Sequence, residues 1–296
     1  MQNILNILKI CMNNILVTGS KGQLGSSLKK LASKASFNNF FFTDINNLDI
    51  TDYTSIINFI EINKITVIIN CAAYTNVDKA EFDLKLADSI NNLAVKKLAQ
   101  IAKSYKIKLI HISTDYVFDG NNSKPYIETD NTNPQTVYGQ TKLSGESAIK
   151  EINPAKSIII RTSWLYSKFG KNFVKTMLRL AKNNKKINVV FDQIGSPTNA
   201  HDLAKIILNI LPKIKNENVE IFHYSNNGCC SWYEFADAIF KINNLRVEMN
   251  PVKSEHYKTD AKRPLYSVMC NDKIKSLYKI SIPSWEESLF NHFRFN

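Results

Sequence analysis

Long apolar runs are missing from this 296-residue chain, so no stretch of it reads as a membrane-spanning helix. Residues 1–11 are mildly apolar, yet they are too short and too interrupted by Asn for a span or a convincing secretory signal. The five cysteines are an odd number with no Cys-x-x-Cys pair, which excludes a disulfide framework and a zinc ribbon and suits a reducing cytosol. The adjacent Cys229 and Cys230 are expected to be buried packing. Nine glycines and eight prolines are too few for a collagen-like or low-complexity chain, and no internal repeat is present. Acidic groups are the scarcer sign: 26 Asp plus Glu against 38 Lys plus Arg leave a net charge of +12. The basic residues are scattered, with no finger, zipper or aromatic-basic platform, which argues against nucleic acid and a membrane surface and leaves an anionic small substrate or a compositional bias toward Lys that carries no function.

What is present is a regular alternation. Apolar runs of strand length at residues 15–18, 40–43, 66–70, 108–113 and 157–161, with weaker ones at 187–191 and 219–224, separate helical patterns at 26–35, 53–62, 84–105 and 139–151. Several strands are apolar throughout, as expected when helices cover both faces of a parallel sheet. Regularity fades after Trp164. The expected organisation is an extension over residues 1–11 with the native start at Met12, a nucleotide-binding domain with the catalytic residues over 12–172, and a smaller lobe over 173–296 with some elements crossing back.

The first run leads into Gly19-Ser20-Lys21-Gly22-Gln23-Leu24-Gly25 and then a helical pattern, the strand, glycine turn and helix of a Rossmann-like dinucleotide pocket. Such glycines permit a tight turn and close backbone approach, and the helix N-terminus offers free N–H groups to a pyrophosphate. Asp44 ends the second strand, where a carboxylate can accept hydrogen bonds from adenosine ribose hydroxyls and favour NADH. Lys21, inside the turn, can attract a 2′-phosphate instead, so NADPH and NADH both stay open.

The fourth run ends in Ser113-Thr114-Asp115-Tyr116-Val117-Phe118, at the sheet edge where open α/β folds bind ligands. His111, inside the run, is expected to pack in the sheet. Farther on stands Tyr138-Gly139-Gln140-Thr141-Lys142. Residues four apart share a helix face, so the Lys142 ammonium is expected beside the Tyr138 phenol, lowering its pKa. Roughly one Tyr-x-x-x-Lys arises by chance in such a chain, so its weight comes from following the glycine turn and the Ser-Thr strand end.

At these residues the chain resembles the extended short-chain dehydrogenase/reductases and, more closely, the dTDP-4-dehydrorhamnose reductases. Further family-like segments are Ala72-Ala73-Tyr74-Thr75, Val77-Asp78-Lys79-Ala80-Glu81, Gly145-Glu146, Arg161-Thr162-Ser163-Trp164, Asp192-Gln193 through Gly195 to Pro197-Thr198, and Arg263-Pro264. The resemblance implies an α/β Rossmann-like doubly wound parallel sheet with a smaller C-terminal substrate-binding lobe, and reduction of the 4-keto group of dTDP-4-dehydro-L-rhamnose by NADPH or NADH. It implies cofactor contacts from Gly22, Gln23, Leu24, Asp44, Asp49, Ile50, Ala73, Tyr74 and Thr75. It places Thr114 and Asp115 against the sugar, Trp164 packed on it, and Tyr138 and Lys142 in chemistry and cofactor binding, with Asn91 supporting the site. Some members bridge a dimer through magnesium using a glutamate just after the third glycine. Ser27 stands at that position, so no metal is expected and the oligomeric state stays open. Two alternatives remain: a dinucleotide-binding regulatory subunit like the methionine adenosyltransferase β subunit, and another nucleotide-sugar epimerase or dehydratase. Intact Thr114, Tyr138, Lys142 and Trp164 favour an enzyme over the first.

Overall fold

The computed structural model describes residues 13–33, 38–183 and 186–294. The expected extension and the Met12 start lie outside them. The first half of the chain runs β1 (Asn14–Thr18), α1 (Gln23–Ala32), β2 (Asn39–Phe42), α2 (Tyr53–Asn63), β3 (Val67–Asn70), α3 (Val77–Ala80), α4 (Leu84–Asp88), α5 (Ala94–Ser104), β4 (Lys108–Thr114), α6 (Val137–Ile152) and β5 (Ile158–Thr162). The second half adds β6 (Leu165–Tyr166), α7 (Phe173–Asn183), β7 (Lys186–Val190), β8 (Ile194–Gly195), β9 (Thr198–Asn199), α8 (Ala200–Ile210), β10 (Glu220–His223), β11 (Cys230–Ser231), α9 (Trp232–Ile242), β12 (Glu248–Val252), α10 (Asp272–Tyr278) and α11 (Trp285–Arg294).

Six strands form one parallel sheet in the order β2-β1-β3-β4-β5-β10. From β1 the chain steps outward to β2 and then returns across β1 to β3, and this reversal opens a crevice above the carboxyl ends of β1 and β3. Every residue of β3 and β5 is buried, because helices cover both faces. On one face Ile15, Val17, Ile69 and Ile160 pack with Leu24 and Leu28 of α1 and Leu203 and Ile207 of α8. On the other, Leu16, Ile68 and Ile159 pack with Ile56 of α2, Leu98 of α5 and Ile149 of α6. Each such side chain contributes about 1.5–3 kcal/mol by leaving water.

Helix α1 starts three residues before the expected Ser26, because Gly22 takes the N-cap position in extended conformation. The helix expected over 84–105 is interrupted by a π-helical turn at Ser89–Leu93. The first turn of α6 is capped by Thr136, whose hydroxyl accepts from the Gly139 N–H at 3.0 Å. The second half crosses back twice: β10 completes the central sheet beside β5, and α8 packs on α1. The remaining short strands pair two by two, β6 with β9, β8 with β11 and β7 with β12. They surround a separate core of Tyr166, Met177, Phe235, Ile239, Trp285 and Leu289. Burial was expected for both adjacent cysteines, but only Cys230 is buried and Cys229 is exposed. Cys229 lies just before β11 rather than in it, and it follows Gly228, whose φ of +90 turns the chain there. Among the described residues no helix is long and apolar enough to cross a membrane.

Candidate active site

Above the carboxyl ends of the sheet lies a cavity of about 790 Å³. At one end it is walled by the glycine turn. Gly19 has φ +63, and a Cβ there would stand 2.7 Å from the Ala72 backbone, so only glycine fits between the turn and the segment after β3. Gly22 caps α1 without a side-chain acceptor, and the helix has no acidic residue in its first turn, which leaves its N–H groups directed at the cavity without a competing charge. Leu24 also lines the cavity. Gly25 does not; a Cβ there would press on the Gly19 carbonyl oxygen, so this glycine serves the packing of helix against turn.

Asp44, Asp49 and Ile50 wall the same end. The Asp44 carboxylate accepts from the Lys21 backbone N–H at 3.0 Å and the Ile45 N–H at 2.9 Å, which fixes it at the rim. Asp49 accepts from the Thr51 N–H and hydroxyl, both at 2.8 Å. Ala73 and Thr75 line the cavity, whereas Tyr74 between them does not. Its N–H donates to Asn91 Oδ1 at 2.9 Å and its carbonyl accepts from Asn91 Nδ2 at 3.1 Å, while its phenol reaches Asp83 at 3.3 Å. Asn91 therefore holds the loop after β3, and the same Nδ2 reaches Thr141 Oγ1 on α6 at 3.1 Å. Gln23 lines the cavity, but its side-chain amide is spent on the segment between β5 and α7: Nε2 donates to the Leu165 carbonyl at 3.1 Å and Oε1 accepts from Ser167 and Asn172.

The other end gathers Thr114, Asp115, Tyr138, Lys142 and Trp164. Thr114 Oγ1 accepts from the Tyr116 N–H at 3.2 Å and donates to Asp115 Oδ1 at 3.0 Å. Asp115 is 2% exposed, and burial pushes its carboxyl up to about 6 against hydrogen bonds that lower it. Its Oδ2 and the Ser113 hydroxyl are buried with no hydrogen-bond partner among the described residues, and both residues line the cavity. A polar ligand satisfies such atoms.

The Tyr138–Lys142 pairing differs from expectation. Lys142 is fully buried and turned toward β4, where Nζ donates to the Ile112 carbonyl at 2.6 Å and lies 3.3 Å from His111 Nε2. Burial pushes Lys142 down to about 8, with Glu146 and Cys71 opposing. Burial raises the Tyr138 phenol above its ordinary value, Asp115 and Tyr116 add to that rise, and a hydrogen bond with Thr114 works against it. The expected lowering of Tyr138 by Lys142 is thus overturned, because a strand carbonyl draws the ammonium away and desolvation dominates. His111 is fully buried in β4 between Asn70 and Lys142, and burial holds it well below the usual imidazole range, so it stays neutral.

Two contributors carried no role in the sequence reading. Arg263 pairs with Asp78 at 2.7 Å and donates to the Tyr116 hydroxyl at 3.0 Å, and Tyr116 meets Tyr138 edge-on with ring centroids 5.5 Å apart. Trp232 stacks on Trp164. The readable signal at Trp232 was Ser231 followed three residues later by Glu234, a capping box that the structure forms.

Residues 12–294 match the family profile described as RmlD substrate binding domain. The chain is 42% identical over 290 residues to a dTDP-4-dehydrorhamnose reductase of Aggregatibacter actinomycetemcomitans, covering 95% of this chain and 98% of that one. A crystal structure of a dTDP-4-dehydrorhamnose reductase from Clostridium acetobutylicum superposes with TM-score 0.90 at 41% identity, covering 95% of this chain and 99% of the other. One from Bacillus anthracis, in complex with NADP, gives 0.91 at 38% identity, covering 96% and 100%. The fold, the cavity at the sheet reversal and a likeness that runs the length of both partners agree, and the chain belongs to the RmlD family of dTDP-4-dehydrorhamnose reductases.

Proposed function

We propose that this chain is an NAD(P)H-dependent reductase that converts the 4-keto group of dTDP-4-dehydro-L-rhamnose into the alcohol of dTDP-L-rhamnose, working in the cytosol. The observation that carries this reading is that one cavity is walled at one end by the glycine turn and at the other by Thr114, Tyr138 and Trp164. The cradle suits a dinucleotide: bare glycine backbone, an uncapped helix N-terminus and a rim carboxylate at Asp44. When bound, the nicotinamide supplies the hydride.

Gly19, Gly22 and the first N–H groups of α1, at Gln23 and Leu24, hold the pyrophosphate, and Gly25 lets the helix approach. Asp44 accepts from the adenosine ribose, Asp49 and Ile50 flank the adenine side, and Ala73 and Thr75 border the cofactor's middle, with Tyr74 between them tied to Asn91. Lys142 holds the nicotinamide ribose. As charge builds on the sugar's carbonyl oxygen, that oxygen takes the phenol proton of Tyr138, which burial keeps protonated until then. Thr114 hydrogen-bonds the same oxygen and fixes its approach. Asp115 meets the sugar's polar groups, and Trp164 gives an apolar surface to the deoxysugar ring.

The test is NAD(P)H absorbance in the presence of dTDP-4-dehydro-L-rhamnose. Net consumption of one reduced cofactor per sugar is expected. Sugar conversion without net consumption marks an epimerase or dehydratase instead, and no conversion overturns the reading.

A further inference from the structure

The Asp192-Gln193 to Thr198 block plays no part in the chemistry above, yet its residues converge on one aromatic pair. Trp164 and Trp232 lie face to face, with ring centroids 3.4 Å apart and planes 6° from parallel. Trp232 opens α9 just after the Ser231–Glu234 capping box, and its Nε1 donates to Gln193 Oε1 at 3.1 Å. Gln193 Nε2 donates in turn to Ser254 Oγ at 2.9 Å, and the Ser254 hydroxyl donates to Asp192 at 2.7 Å. Two residues after Gln193, Gly195 leaves no room for a side chain, since a Cβ there would stand 2.5 Å from the Trp164 ring. Trp164 itself has φ +46, a conformation that a bulky residue keeps only where its surroundings impose it. Trp164 lines the cavity, and Trp232 stands outside that lining.

We propose that Trp232 is a positioning residue for the sugar: together with Gln193 and Gly195 it fixes the plane of Trp164 at the cavity wall, and so sets the surface on which the deoxysugar packs. This rests on the reductase reading. Stacked rings constrain each other's orientation beyond the area they bury, so without Trp232 the Trp164 ring gains rotational freedom. The effect falls on the sugar and spares the cofactor, whose cradle is the glycine turn at the far end of the cavity.

Near-parallel indoles couple their electronic transitions, so the free protein should show a two-signed circular-dichroism band that is lost in Trp232→Leu and in Trp164→Phe. In Trp232→Leu the KM for dTDP-4-dehydro-L-rhamnose should rise about tenfold, with kcat and NADPH affinity little changed, and Trp232→Phe should recover most of the loss. Gln193→Leu, which removes the hydrogen bond and keeps both rings, should raise KM about threefold and carries the test with Trp232→Phe if Trp232→Leu fails to fold. An unchanged KM despite loss of the band overturns the proposal, as does equal loss of sugar and cofactor affinity, which marks Trp232 as lobe packing alone. A wild-type protein that reduces no such sugar overturns the reductase reading and this proposal together; the other outcomes leave the reading intact.

Discussion

At Asp115 a carboxyl with one oxygen lacking a hydrogen-bond partner among the described residues sits beside Thr114 and Tyr138, and its pKa of about 6 lies above the ordinary 3.8. Between those values the folded chain keeps a proton that the unfolded chain has released. The stability contributed by the neutral carboxyl is therefore complete below about pH 4 and is lost as pH rises through about 6. Asp115→Asn stays neutral throughout. The wild-type unfolding free energy minus that of the variant should fall, on the order of 2 kcal/mol, between pH 4 and 7, measured by urea denaturation. Parallel curves would remove the buried charge from the account. For Tyr138→Phe, the loss of a general acid predicts at least about a hundredfold drop in turnover with fold and cofactor affinity kept. A folded variant reducing the sugar at near the wild-type rate, with chemistry rate-limiting, shows that another group gives the proton. The glycines, Thr114, Tyr138 and Lys142 were legible in the sequence because each belongs to a motif only a few residues long. The direction of the Lys142 side chain was not, since its partner is the carbonyl of Ile112, 30 residues earlier on another element.

Helix α6 carries Tyr138 and Lys142, and its placement depends on a contact near its middle. A Cβ on Gly145 would press into the Asn91 backbone carbonyl in the π-helical turn, so the two elements meet backbone to backbone. Asn91 then ties that turn to Tyr74 on one side and to Thr141 on the other. Gly145→Ala must move the helix off the turn, with an expected destabilisation of about 1–3 kcal/mol and a fall in turnover as Tyr138 shifts. Unchanged thermal unfolding and unchanged kcat would show that the contact yields without effect. Strands such as Val67–Asn70 and Ile158–Thr162 could be read directly, since covered parallel strands are apolar throughout. The π-helical turn could not: the residues that meet there, Asn91 and Gly145, are far apart in sequence, and the helical pattern runs through the turn unbroken.

Across the whole molecule, Gln23 at the start of α1 reaches residues 142 to 149 positions later and clasps the segment that leads into α7. No local pattern announces a contact at that range. Gln23→Leu loses the bonds to Leu165, Ser167 and Asn172 together, and water restores part of them, so a several-fold weakening of NADPH binding is expected with the fold retained. Cofactor titration with limited proteolysis of residues 165–172 checks this, and wild-type behaviour in both would show that the clasp is dispensable.

The pairing of β10 with β5 and the packing of α8 on α1 also set a timetable for synthesis. The nucleotide-binding sheet gains its last strand only after residues 220–223 have left the ribosome, and Leu24 and Leu28 gain their cover only after Leu203 and Ile207. Until then β5 presents a row of open backbone donors and acceptors. A nascent chain stalled near residue 172 is consequently a template for pairing with its own copies, rather than a smaller working nucleotide binder.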